Sequence, residues 1–169
     1  MLIFTGASLL LLWESNEGSQ ITVDGKTNDW NGIQSNEQNQ GNVNDANMDI
    51  VSTSIVKDSA FLSILTVIDE PMFYSSEGYT LRLLIDSDDK PDTGYTLPGV
   101  GVDYMIEIYG KNQAVLSSLL YTFNDNRENT DWNGFNPLTF TPSIFTTSLV
   151  TGFLVKFKFK SLHTLVFLS

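Results

Sequence analysis

The chain has no cysteine, a single histidine, and nine Lys and Arg residues against 20 Asp and Glu. Without cysteine there is no disulfide framework, so any stapling beyond core packing must come from a metal. The lone histidine has no cysteine companion, and neither Gly-x-Ser-x-Gly nor His-Glu-x-x-His occurs, so the usual hydrolytic constellations are missing. Carboxylate pairs such as Asp69 with Glu70, or Asp103 with Glu107, read as solvated turn or strand acids rather than a glycosidase pair. The expectation is a protein that is not an enzyme. A formal charge of −11 argues against nucleic acid, whose phosphates need a basic surface, and against anionic lipid.

Charged residues are scarce as well, at 17 %, and no long i, i+3, i+4, i+7 pattern runs between two helix caps. The polar balance is carried by Asn, Gln, Ser, Thr and Gly, a β-rich composition of extracellular type. Short apolar or alternating runs recur between turn residues: Met48 to Val56, Phe61 to Ile68, Tyr79 to Ile85, Asp103 to Tyr109, Ala114 to Phe123, Thr139 to Thr147, Phe153 to Phe159 and Leu162 to Phe167. That spacing predicts an all-β fold, an antiparallel β-sandwich of immunoglobulin-like or jelly-roll-like two-sheet architecture. Ile21 to Val23 is a further short strand candidate, and 34–47 reads as a polar loop, mobile or ordered by a ligand.

The ends differ from the middle. Met1 to Trp13 is an apolar run too short for a comfortable membrane span but of the length of a signal-peptide core. Residues 1–20 are therefore expected to be a signal peptide or N-terminal anchor plus linker, and 21–169 a single domain. No acid follows Asp131, and the basic groups there are Lys156, Lys158, Lys160 and His163. The shift fits either a change of role or a truncated end. One echo stands out: Asp29-Trp30-Asn31-Gly32 returns as Asp131-Trp132-Asn133-Gly134, which shared turn chemistry explains without duplication.

The densest charge lies between Tyr79 to Ile85 and Asp103 to Tyr109. Asp86, Asp88, Asp89 and Asp92 are offset only by Lys90, and Asp103 enters the second strand. Carboxylates this close repel unless they are solvated or share a cation. Hard oxygen ligands on a flexible loop suit Ca²⁺. The loop is not an EF-hand, since Pro91 stands where glycine is required and no glutamate closes it. Asp86, Asp88, Asp92 and Asp103 are the expected metal ligands.

Three segments in order carry a resemblance: Ile21 to Trp30 (I-T-V-D-G-K-T-N-D-W), Asn47 to Ile50 (N-M-D-I), and Leu84 to Tyr95 (L-I-D-S-D-D-K-P-D-T-G-Y) with Gly101 to Ile108 (G-V-D-Y-M-I-E-I). Together they resemble carbohydrate-binding module family nine and the wider DOMON-like sandwich group. The resemblance implies a calcium-bearing β-sandwich with a non-catalytic binding role, and it adds Asp49 to the candidate calcium ligands. The expected partner is a carbohydrate polymer or oligosaccharide, and the expected setting is secreted or cell-surface, beside other domains of a longer protein.

Sugar recognition uses aromatic faces for the pyranose ring and amides or carboxylates for hydroxyls. Trp30, Trp132 and Tyr95 are the candidate rings, with Asn31 and Asn133 as polar partners; Tyr74, Tyr79 and Tyr121 complete the aromatic pool. The plainer reading makes both tryptophans core plugs. The rival functions are a structural layer or adhesion domain that holds calcium without sugar, and a haem-binding electron-transfer module using Met48, Met105 and His163.

Overall fold

The computed structural model describes residues 11–12, 21–24, 26–41, 43–58, 61–138, 143–146, 152–158 and 164–168. The export or anchor segment, apart from Leu11 and Leu12, lies outside the described residues, as does His163. The strands are β1 (Leu11–Leu12), β2 (Ser35–Glu37), β3 (Ile50–Lys57), β4 (Phe61–Ile68), β5 (Tyr79–Asp86), β6 (Tyr95–Leu97), β7 (Val100–Val102), β8 (Tyr104–Lys111), β9 (Ala114–Phe123), β10 (Phe135–Pro137), β11 (Ser143–Thr146), β12 (Gly152–Lys158) and β13 (Thr164–Leu168). Among the described residues there is no helix beyond two three-residue 3₁₀ turns, Asn28–Trp30 and Trp132–Gly134, and none long and apolar enough to cross a membrane.

Two antiparallel sheets form the fold. One has six strands in the order β1-β13-β5-β8-β9-β10, the other five in the order β11-β12-β4-β3-β2, and β6 pairs with β7 as a separate hairpin. The strands after Trp132 are thus part of both sheets: β12 lies between β11 and β4, and β13 between β1 and β5. The fold is the all-β, sandwich-like one that the sequence pattern predicts.

Period-two alternation fixes what each face does. Leu81, Leu83 and Ile85 of β5, with Ile106 and Ile108 of β8, meet Ile55, Leu62, Ile64 and Ile68 of the other sheet in one core between the sheets. The opposite phase points outward and is covered on each sheet by a smaller apolar cluster. On the five-stranded sheet Val56 and Leu65 are covered by Ile21 and Trp30. On the six-stranded sheet Leu84 and Met105 are covered by Val100 and Val102, with Tyr95, Tyr121 and Phe135 at the margin.

Three segments expected to be strand or loop differ. Ile21 to Val23 belongs to no strand, and Ile21 packs as a plug in the cluster on the outer face of the five-stranded sheet. Ser35–Glu37 is a strand although all three residues are exposed, since it binds the edge of β3 through its backbone alone. The stretch after the acidic loop is the β6–β7 hairpin, turned by Pro98 and Gly99, the latter at φ 80°. Pro then Gly is the signature of a turn needing positive φ at its third residue.

Candidate functional site: an acidic loop beside an exposed indole

The acidic loop begins where β5 ends. Asp86 is 2 % exposed, and its Oδ1 accepts the backbone N–H groups of Asp88 at 3.1 Å and Asp89 at 2.7 Å. That turn holds Asp89 at φ 60°, in the left-handed region that Asp tolerates better than most residues. Asp103, just before β8, accepts the N–H of Ser87 at 2.7 Å and the Ser87 hydroxyl on Oδ2. Its backbone is fixed on both sides, donating to Ile85 at 2.9 Å and accepting from Phe123 at 2.7 Å. Asp88 accepts from the Lys90 N–H and the Thr93 hydroxyl, both at 3.1 Å, and lies 3.2 Å from the Lys90 ammonium.

Carboxylate oxygens of Asp86, Asp88 and Asp103 fall within 4.8 Å of one another. Two glycines permit this closeness. A Cβ at Gly94 would collide with the Val102 carbonyl, and one at Gly101 with the carbonyls of Lys90 and Thr93. The hairpin therefore folds back onto the loop that carries the acids.

The three acids are not equally compensated. Burial pushes the Asp103 carboxyl up; the Ser87 hydrogen bonds pull the other way, but the repulsion of Asp88 and Asp86 adds to burial and the pKa stays raised. Burial also acts upward on Asp88, but hydrogen bonds from Lys90 and Thr93 and the Lys90 charge outweigh it and leave it lowered. Lys90 is held above its ordinary value by the same pairing. Lys90 pairs directly with Asp88 and reaches Asp92 and Asp103 only through its field, so Asp103 stays the least compensated of the three. An all-oxygen donor set of this kind suits a hard ion such as Ca²⁺ or Mg²⁺, with Ca²⁺ tolerating the less regular geometry.

The other expected ligands are elsewhere. Asp92 is exposed on the outer part of the loop and does not join the three. Asp49 belongs to the opposite end of the molecule. Its loop reaches Tyr79, whose hydroxyl donates to Asp45 at 3.4 Å, and Tyr79 opens the strand that Asp86 closes. Eight residues of strand separate the two ends by roughly 23 Å. The expectation that Asp49 shares the ion with Asp86 is therefore corrected: adjacency in a motif is not adjacency across a strand's length.

The two candidate tryptophans diverge. Trp30 is 7 % exposed and packs against Ile21, Val56 and Leu65, so its faces are taken by protein and it is not a stacking ring; Asn31 beside it is exposed. Trp132 is 37 % exposed. Its ring meets Tyr95 edge-on at 5.2 Å and Phe135 at 5.3 Å, with the Arg82 guanidinium 5.9 Å from its centroid. Asn133 is exposed, and its N–H and side-chain amide donate to Asp131 at 3.0 and 3.2 Å, which fixes the turn.

Sequence reasoning missed the polar row beside Trp132. Arg82 of β5 pairs with Glu107 of β8 through Nη2 at 2.8 Å and Nε at 2.9 Å. Tyr121 of β9 is raised by burial, by the Glu107 charge and by its hydrogen bond to Glu107, against the pull of Arg82. The signal was present: Arg82 and Glu107 occupy the outward phase of two strands that the core phase already identifies. Of the haem candidates, His163 lies outside the described residues. Met105 is buried in the outer cluster of the six-stranded sheet, whereas Met48 packs on the core between the sheets, so the two do not converge.

Comparison with protein-family models, with curated proteins and with solved structures finds no match to this chain.

Proposed function

We propose that this chain is a non-catalytic extracellular binding module that stacks a neutral saccharide on Trp132 and holds a structural Ca²⁺ among Asp86, Asp88 and Asp103. The observation that carries the reading is Trp132 itself. A partly exposed indole, braced edge-on by two rings, stands beside a fixed row of Arg82, Glu107 and Tyr121. Aromatic face plus oriented polar groups is the chemistry of pyranose recognition. The acidic loop supports it from below, because Tyr95, the ring that braces Trp132, is carried on the hairpin that Gly94 and Gly101 press against that loop. The resemblance to carbohydrate-binding module family nine agrees with both halves, and with a secreted or cell-surface chain working beside other domains.

The test is retention on insoluble polysaccharides and on a glycan array, with Trp132→Ala and Glu107→Gln as variants and Trp30→Phe as a control that keeps a core ring. Binding that survives Trp132→Ala removes the saccharide reading. A second reading, a structural surface domain with calcium and no sugar, is favoured by one fact: more than half of Trp132 is already covered. Absence of any glycan ligand together with chelator-sensitive stability selects it.

A further inference from the structure

We infer that Asn31 is a site of spontaneous covalent modification, where the side-chain amide is lost through a cyclic imide, and that Asn133, in the same dipeptide, is protected by the fold. The inference is independent of the function proposed above. Asn-Gly occurs twice in the chain, at Asn31-Gly32 and at Asn133-Gly134. The reaction needs only water. At the first pair the Gly32 backbone nitrogen attacks the Asn31 Cγ. The N–Cγ bond forms, the Cγ–Nδ2 bond breaks, and ammonia leaves with the proton given up by the Gly32 N–H. Water then opens the ring. Cleavage at Cγ gives aspartate; cleavage at the Asn31 main-chain carbonyl gives an isoaspartyl link, with the chain running through the β-carbon. Either product adds one negative charge. A glycine nitrogen is the least hindered nucleophile for this step, since no Cβ stands beside it.

The two turns differ in what that step requires. Asn31 (φ −63°, ψ 123°) and Gly32 (φ 82°) are the central residues of a type II turn, closed by the Ile33 N–H on the Trp30 carbonyl at 3.1 Å. Both are exposed, and a Cβ on Gly32 would meet nothing within 4 Å. Among the described residues neither the Gly32 N–H nor the Asn31 side-chain amide has a hydrogen-bond partner. Attack requires the Asn31–Gly32 peptide to rotate until its nitrogen eclipses the Asn31 β-carbon. Glycine tolerates that rotation, the space is open, and the one bond at stake is a surface bond of modest net value. At the second pair the nucleophile is occupied, because the Gly134 N–H donates to the Asp131 carbonyl at 2.9 Å. The leaving amide is held as well, donating to Asp131 Oδ1 at 3.2 Å. The Gly134 carbonyl accepts from the Asn124 N–H at 3.0 Å and the Asn136 side-chain amide at 3.1 Å, and a Cβ on Gly134 would lie 2.5 Å from the Phe123 ring. Turning that peptide opens the first two bonds and disturbs a buried glycine clamped on its other side. The open turn also carries the consequence. Trp30 and Ile33 flank it and pack in the cluster with Val56 and Leu65, and an isoaspartyl link lengthens the backbone between them.

The test is peptide mapping by mass spectrometry of the full chain held in warm, mildly alkaline buffer, with a urea-unfolded sample in parallel. Unfolded, the two asparagines should convert at similar rates, since both follow Asp-Trp and both glycines precede an apolar residue. Folded, Asn31 should convert at least about tenfold faster than Asn133, because the bonds that must open at Asn133 slow its attack. Asp131→Ala, which frees the Asn133 amide, should speed conversion there and leave the Asn31 rate as it was. Equal rates at the two sites in the folded wild type overturn the inference. So does an Asn31 that keeps its amide while the unfolded sample converts, and an Asn133 rate unmoved by Asp131→Ala overturns the protection assigned to it.

Discussion

The same four residues, Asp-Trp-Asn-Gly, occur twice in this chain and end in opposite situations. At 29–32 and at 131–134 they overlap a 3₁₀ turn in different register, Trp30 closing Asn28–Trp30 and Trp132 opening Trp132–Gly134; at both the aspartate accepts a backbone N–H, Asp29 from the distant Thr22 at 2.8 Å and Asp131, as the cap of its turn, from Asn133 at 3.0 Å. Each turn lays its tryptophan on the outer face of a sheet, the first on the five-stranded sheet and the second on the six-stranded one. There the likeness ends. Trp30 lands on Val56 and Leu65 with Ile21 beside it, and the cluster closes over it. Trp132 lands among Tyr95, Phe135 and Arg82, and stays partly open. The four residues bring a 3₁₀ turn to each place, in different register; the neighbours contributed by distant strands decide whether the indole is structure or surface.

The strongest way to break this comparison is to remove each ring. Trp30→Ala leaves a cavity in a closed cluster and should cost about 3–5 kcal/mol of stability, the range for a buried aromatic. Trp132→Ala should cost under about 1 kcal/mol and lose saccharide binding by tenfold or more, as a central aromatic anchor does. Urea denaturation of both variants, with retention on polysaccharide for the second, checks the pair. Equal destabilisation by the two changes would mean that the exposed ring is as structural as the buried one.

The next effect belongs to the loop under Tyr95. An ion that binds only the folded state stabilises it by about 2.7 kcal/mol at a hundredfold excess over its Kd. Chelator should therefore lower the melting temperature of the wild type more than that of Asp86→Ala with Asp103→Ala. It should also blunt saccharide retention through the loosened hairpin, while the emission of Trp30 in a Trp13→Phe, Trp132→Phe chain stays unchanged. A melting temperature indifferent to chelator removes the metal from the acidic loop.

The pH response separates the acids within that loop. The Asp103 pKa is raised in the fold. Its ionised form is thus disfavoured by folding, and the metal-free protein should gain stability as pH falls through the raised value toward about 3.9, the unfolded aspartate value. The Asp88 pKa is lowered. Its contribution is present above about 3.9 and is lost only as pH falls further, through the folded value. With Ca²⁺ bound the upper limb should reverse, because protons then compete with the ion. Thermal melts from pH 7 to 4 with and without Ca²⁺ read this directly, and slopes of the same sign in both conditions contradict it.

Much of the fold was legible because alternation and turn residues are local signals. Phe61–Ile68 and Ala114–Phe123 carry theirs from end to end, and both strands have the expected bounds. Ser35–Glu37 gave none, since an edge strand held by backbone alone needs no apolar phase. At the site, Asp86, Asp88 and Asp103 were readable because strands on either side of one loop return its ends to the same place. Asp49 was misplaced, Arg82 was overlooked, and Glu107 and Tyr121 were named without being joined to it, for one reason: their neighbours are set by cross-strand register, which the sequence implies only once the pairing is known.

The smallest effect tests the shared part of the motif. Asp29→Ala and Asp131→Ala each remove one carboxylate acceptor from a backbone N–H at the surface, where water replaces most of what is lost. Each should cost about 0.5–1 kcal/mol, and the two should agree within a few tenths, because a solvent-accessible hydrogen bond has a modest net value wherever it sits. Asp131 also lies 3.5 Å from the Arg127 guanidinium, but an exposed i, i+4 pair adds only about 0.3–0.5 kcal/mol. The same aspartate should therefore be worth nearly the same in both turns, while the same tryptophan differs by several-fold. A large gap between the two aspartates, measured by matched urea curves, would show that the different register of the two turns carries weight, and the contrast between their tryptophans would then owe as much to local geometry as to the sheets beneath.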